Sequence, residues 1–208
     1  MEASPIVYVV DDDEDVRTAL VRLLASAGEN VVAFSSPPQF LDGFDRAACA
    51  CLVLDVAMPG VDGLELQRML EGEGVSMPIV FLTGHGDVTS SVQAMKRGAM
   101  DFLQKPVDDN VLLAAVAQAL AKAQALRVAG EGQRRVVDSI AALTPREREV
   151  LAGIVAGRLN KQIAADLGTV EKTIKFHRGN LMRKLNVRSV ADLVRIAERA
   201  GIGKSDRA

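Results

Sequence analysis

Residues 6–15 read IVYVVDDDED. Five apolar residues, most of them β-branched, run straight into five acidic ones. An apolar run of that length with no polar interruption reads as a strand buried on both faces of a sheet. Five consecutive carboxylates repel one another, so something must offset the cost. The first turn of a helix favours negative charge by about 0.3–1 kcal/mol per group. A hard divalent cation takes carboxylate oxygens directly. Asp13, Glu14 and Asp15 fit the start of a helix, whereas Asp11 and Asp12, read as the strand end, fit the cation.

Outward from that stretch, the first ~125 residues alternate strand-like and helix-like segments. Strands are expected at 6–10, 30–34, 51–55, 78–82 and 101–104, with helices at 14–27, 38–43, 62–71, 87–97 and 108–125. Five βα units imply an α/β fold, a parallel sheet with helices on both faces. Ligands of such folds bind at the carboxyl ends of the strands. There the sequence places Asp11 and Asp12 at the end of the first strand, Asp55 at the end of the third, Thr83 at the end of the fourth and Lys105 after the fifth. Carboxylates supply hard oxygen ligands for Mg²⁺, and lysine is a compact charge suited to a phosphoryl oxygen. Thr83 adds a hydroxyl donor, and a carboxylate can itself accept a phosphoryl group.

The chain has 208 residues, 49% hydrophobic and 25% charged, which leaves room for two ordinary domains of a globular protein. No apolar run approaches the ~20 residues of a membrane span. The segment MEASPIVYVV lacks the basic flank and cleavage site of a signal peptide. Cys49 and Cys51, spaced C-x-C beside a strand, read as reduced cysteines of a cytoplasmic protein.

The net charge of −2 hides a split. Before Glu131, 9 Lys and Arg face 18 Asp and Glu, a balance of −9; from Glu131 onward, 16 face 9, a balance of +7. An acidic module suits a cation and a basic one suits nucleic acid.

Between the two, KAQALRVAGEGQRRVV reads as a helical extension broken or kinked near Gly130 and Gly132. Four short helices follow, with Thr144 capping the first, Pro145 at its first position and Glu147 closing a capping box. Ser189 caps the fourth. In the third, Ile174, Leu181 and Leu185 share one stripe with His177 at its edge. Lys172, Phe176, Gly179 and Arg183 lie opposite, flanked by Lys175 and Asn180. A face of cations with one aromatic suits a recognition helix in the major groove. Lysine reads guanine edges and phenylalanine touches a thymine methyl. Lys161, Thr173 and Arg178 suit phosphate contacts, which position without specifying.

The motifs VVDDD, LDVAMPGVDG, LTGHGD and FLQKP make residues 5–122 resemble the receiver domain of a two-component response regulator. Residues 143–203 resemble the LuxR/NarL-type helix-turn-helix domain through LTPREREVL, GRLNKQIAADLG and EKTIKFHRGNLMRKL, with 123–142 as a helical linker. The order of the two and TGHGDV look most like the FixJ branch. The resemblance implies a flavodoxin-like, five-stranded parallel sheet of order 2-1-3-4-5, followed by an all-α four-helix domain. It makes Asp55 the phosphoryl acceptor, and Asp11, Asp12, Asp55 and the backbone carbonyl of Ala57 the ligands of Mg²⁺ or Mn²⁺. It makes Thr83 and Lys105 the phosphoryl contacts and Phe102 the switch aromatic. The implied partners are a sensor histidine kinase, double-stranded promoter DNA and a second copy docking through the 87–125 face. The resemblance also leaves room for RNA polymerase. A haloacid-dehalogenase-type hydrolase would carry a second aspartate two residues after its nucleophile, where this chain has Ala57. A protein-binding output module is disfavoured by the +7 balance. Related helix-turn-helix domains often have Ile-Ser before the recognition helix; Thr169-Val170 stands there, so Thr169 is the expected cap unless the helix starts elsewhere.

Overall fold

The computed structural model describes residues 4–84 and 88–202. His85, Gly86 and Asp87 of LTGHGD, and position 203 at the expected end of the second domain, lie outside the described residues. The chain divides into two compact units, Met1–Val128 and Ala129–Ala208.

The first unit is built on strands β1 (Ile6–Val10), β2 (Asn30–Phe34), β3 (Ala50–Asp55), β4 (Ile79–Thr83) and β5 (Asp101–Gln104). All neighbours are parallel and the order is β2-β1-β3-β4-β5. Helices α1 (Glu14–Ser26), α2 (Pro37–Gly43), α3 (Gly63–Gly72), α4 (Val88–Lys96) and α5 (Asp109–Ala141) follow the strands in turn. The period of two along each strand divides the core between the faces. Val7, Val9, Cys51, Val53, Val80 and Leu82 pack with α1 and α5. Tyr8, Val10, Leu52, Leu54, Ile79 and Phe81 pack with α2, α3 and α4. Every residue of β3 and β4 is buried, as strands covered on both faces require.

Two expectations are corrected here. First, α5 runs through Gly130 and Gly132 as helix to Ala141. A helical glycine costs only ~1 kcal/mol and keeps its N–H, and the flanking Ala, Leu, Gln and Arg are strong helix formers. Second, α5 is by length and composition apolar enough to cross a membrane. Its Leu112, Ala115, Val116 and Ala119 are buried against the sheet, the position of a core helix. Cys49 and Cys51 are both free and buried, and burial pushes the Cys51 thiol up to about 12.

The second unit holds α6 (Pro145–Val155), α7 (Asn160–Asp166), α8 (Glu171–Lys184) and α9 (Val190–Arg199) around Leu143, Val150, Leu151, Ile163, Ile174, Leu181 and Leu193. Gly153 brings α6 close to α7: a Cβ there would lie 2.8 Å from Ile163 Cγ1. Thr144 and Glu147 form the capping box of α6. Glu147 is buried and its Oε2 also takes Lys184 Nζ at 2.8 Å, tying α6 to the end of α8. That ammonium, with the Thr144 donors, holds the Glu147 carboxyl below its usual value. A depressed carboxyl stabilises the fold above its unfolded pKa and loses that contribution as pH falls through the folded one. Glu147→Gln is therefore expected to destabilise the helical unit at pH 7 by about 1–3 kcal/mol. Denaturant titrations of wild type and variant should converge in acid; a gap unchanged from pH 7 to pH 3 would contradict this role.

Candidate functional site

The acidic run divides at the end of β1. The strand stops at Val10, so Asp11 and Asp12 stand in the turn before α1 and not in the strand as expected. Asp13 is the N-cap of α1, and its Oδ1 accepts from the N–H of Asp15 at 2.9 Å and of Val16 at 3.2 Å. Only Glu14 and Asp15 lie in the first turn. Asp11 is 1% exposed, while Asp12 is exposed. The two neighbours therefore differ: Asp11 is part of a buried cluster, and Asp12 faces water.

β3 ends in Asp55, 5% exposed. Lys105 follows β5, and its N–H donates to the Thr83 carbonyl at 2.7 Å, carrying the β4–β5 pairing one residue further. From there Lys105 Nζ donates to Asp55 Oδ1 at 2.5 Å and to Asp11 Oδ2 at 2.6 Å. Thr83 is buried at the end of β4, and Ala57 is exposed just beyond β3. Phe102 is half-buried, its ring centroid 5.8 Å from that of Phe81.

Two buried carboxylates share one ammonium. Burial raises the Asp55 carboxyl above its usual value, and the Asp11 charge adds to this against the pull of Lys105. Burial opposes the charge on Lys105, but the hydrogen bonds and charges of Asp11 and Asp55 outweigh it and raise the ammonium. Among the described residues no three His, Cys, Asp or Glu side chains stand together as a ready metal cage. Mg²⁺ does not need one: one or two carboxylates with a carbonyl, waters and phosphate oxygens suffice. The site's excess negative charge and all-oxygen donors fit that ion.

Two residues passed over in the sequence act here. Gly63 opens α3 with its N–H on the Val56 carbonyl at 3.0 Å; a Cβ there would lie 2.2 Å from the Asp55 backbone oxygen. The signal was available, since glycine at a helix start is a poor helix former and marks a close approach. Arg17, on α1, donates to the backbone of the acidic pair. An arginine four residues after a cap carries no such signal.

In the second unit, Ile174, Leu181 and Leu185 of α8 are buried and His177 is half-buried beside them. Lys172, Lys175, Phe176, Gly179 and Arg183 are exposed, Phe176 to 65%. Lys161 is exposed on α7, and Thr173 is half-buried. Arg178 Nη1 donates to Asn160 Oδ1 at 2.5 Å, a tie between α8 and α7. Lys175 pairs with Glu171 at 3.1 Å, an exposed contact of little net worth. The N-cap of α8 is Val170, with no side-chain cap bond, and not Thr169. Thr169 instead closes the preceding turn, its N–H on the Ala164 carbonyl at 2.9 Å.

Residues 7–117 match the response regulator receiver domain, and residues 141–197 match the bacterial regulatory proteins of the luxR family. The chain belongs to the response regulators. It is 42% identical over 198 residues to the response regulator protein TodT of Pseudomonas putida, covering 95% of this chain and 87% of that protein. It is 42% identical over 208 residues to the transcriptional regulatory protein FixJ of Azorhizobium caulinodans, covering 100% and 99%. The solved structure of the response regulator StyR superposes with a TM-score of 0.84 at 46% identity, covering 95% of this chain and all of that one. Full-length FixJ from B. japonicum gives a TM-score of 0.56 at 41% identity, covering 94% and 97%. This response regulator therefore joins a receiver to a LuxR-type helix-turn-helix and is a transcriptional regulator of the FixJ and TodT kind. Histidine-kinase input, activation by phosphorylation and DNA binding are the general pattern of that family.

A carboxyl raised by burial is a cost at neutral pH: its contribution to stability is present below the unfolded pKa and lost as pH rises through the folded one. Asp55→Asn removes that cost and leaves Lys105 paired with Asp11. The variant is expected to melt higher than wild type at pH 7, with the difference shrinking as the pH is lowered toward 4; a lower melting temperature at pH 7 would contradict the electrostatic reading. Gly63→Ala is expected to destabilise by about 1–3 kcal/mol, the usual cost of overpacking, read by urea denaturation.

Proposed function

We propose that Asp55 accepts the phosphoryl group and that its phosphorylation controls promoter binding by the helix-turn-helix. The observation that carries this reading is Lys105 Nζ held between Asp55 and Asp11 at the carboxyl edge of the sheet. A carboxylate oxygen of Asp55 attacks the phosphorus of a kinase phosphohistidine; the P–O bond forms, the P–N bond breaks, and the imidazole leaves with a proton. The incoming group carries negative charge, and the ammonium of Lys105 and the hydroxyl of Thr83 are suited to its oxygens. Asp11, Asp12, Asp55 and the Ala57 carbonyl would hold Mg²⁺, or Mn²⁺, which when bound supplies charge neutralisation for the transfer. The receiver thus takes part in its own phosphorylation and dephosphorylation without acting on an external substrate.

In this reading residues 5–122 form the receiver, 123–142 the helical linker and 143–203 the DNA-binding domain. Phosphorylation draws Thr83 toward the new oxygens and lets the Phe102 ring turn inward. The face spanning 87–125 then changes shape and pairs with a second copy. Lys172, Lys175, Phe176, Gly179 and Arg183 meet base edges of promoter DNA, while Lys161, Thr173 and Arg178 meet phosphates. RNA polymerase is a downstream partner, and the protein works in the cytoplasm.

Asp55→Asn is expected to abolish labelling by acetyl phosphate, and retained labelling would sink the assignment. Lys105→Ala should keep some labelling but lose the beryllofluoride-induced dimer in sedimentation; a wild-type response would remove its signalling role. Lys175→Ala should weaken operator binding with an unchanged circular dichroism spectrum. The slope of affinity against salt should be steeply negative for wild type, as phosphate contacts require.

A further inference from the structure

Arg17 sits at the fourth position of α1 and is half-buried. Side chains on a helix lean toward its N-terminus, so this one reaches back over the turn it follows. Its Nη1 donates to the Asp11 carbonyl at 2.8 Å and to the Asp12 carbonyl at 3.3 Å. One guanidinium nitrogen therefore grips two successive peptides, those that carry the acidic pair. The same turn is held from below by the Asp13 N–H on Asp11 Oδ1 at 3.0 Å. Asp11 needs little further restraint, since it is buried and bound to Lys105. Asp12 is exposed, so what Arg17 fixes there is the backbone from which its carboxylate departs.

We infer that Arg17 is the positioning residue for the divalent cation: it fixes the Asp11–Asp12 backbone so that both carboxylates face one ion. The inference rests on the proposed Mg²⁺ role of that pair. Groups that orient metal ligands without touching the metal typically set affinity by ten- to a hundredfold. The planar guanidinium fixes the directions of both Nη1 hydrogens, which a freely rotating lysine ammonium on a shorter stem reproduces poorly.

The test is Mg²⁺ titration of the unphosphorylated full-length protein, followed by calorimetry and by amide NMR shifts. Arg17→Ala, Arg17→Lys and Asp11→Asn are compared with wild type, together with urea denaturation without metal. Arg17→Ala is expected to bind Mg²⁺ about tenfold more weakly or worse. Arg17→Lys should recover only part of the loss. Wild-type affinity in Arg17→Ala, with stability alone reduced, would reduce Arg17 to a structural tie and overturn the inference. Full recovery by lysine would also overturn it, since charge and not geometry would then be at work. Should Arg17→Ala fail to fold, Arg17→Lys decides: wild-type affinity overturns the inference and weakened affinity supports it. Asp11→Asn separates the two readings. If it too binds Mg²⁺ as wild type does, the metal assignment itself fails; if it loses binding while the Arg17 variants do not, only the positioning role fails.

Discussion

The receiver half is organised around one ammonium between two buried carboxylates. Lys105, Asp11 and Asp55 come from the ends of three different strands, β5, β1 and β3. In the order β2-β1-β3-β4-β5, β1 and β3 are neighbours, but β4 separates both from β5. The lysine must therefore reach across the end of β4, which is where Thr83 lies. Any register slip in β4 or β5 would move the ammonium away and leave two uncompensated buried charges, a defect that typically costs about 3–5 kcal/mol. The apolar runs of β3 and β4 hold that register, since their side chains are buried on both faces. The core thus serves the site by fixing where strands end.

The second half uses charge in the opposite manner. There the buried Glu147 carboxylate takes the exposed Lys184 ammonium, a pair that ties α6 to α8 and serves the fold. Lys172, Lys175 and Arg183 of α8 are exposed at helical spacing. Few buried charges placed to within ångströms suit a chemical step, whereas many exposed ones suit a polyanion whose charge repeats along its length. The −9 and +7 balances of the two halves are the compositional trace of that difference.

Much of this architecture was legible because apolar patterning is a direct imprint of burial. The β-branched runs marked the strands to within a residue, and the Thr144-Pro145-Glu147 signature marked the start of α6. The sheet order came from family resemblance, since periodicity does not say which strands are neighbours. Where propensity was weighed alone, it misled: two glycines did not stop α5, because neighbouring residues and unbroken backbone bonding outweigh them. Val170 occupies a cap position that its chemistry disfavours, and the turn before it set the helix start instead. At the candidate site, side chains with chemical function stood out in the sequence. Arg17 did not, because it acts on backbone atoms, and Gly63 left only the mark of a poor helix former at a helix start.

The aromatic side chains are unevenly shared. Tyr8, Phe34, Phe40 and Phe44 pack as one cluster beneath the sheet, and the Tyr8 hydroxyl accepts the Asp45 N–H at 3.0 Å. The chain has no tryptophan and this single tyrosine, 2% exposed on β1. Its tyrosine emission therefore comes from one fluorophore, lodged one strand away from Asp55. That tyrosine emission reports on the receiver core and not on the DNA-binding half, so an unfolding curve from it and a helical one, taken from the same sample, watch different parts of this molecule.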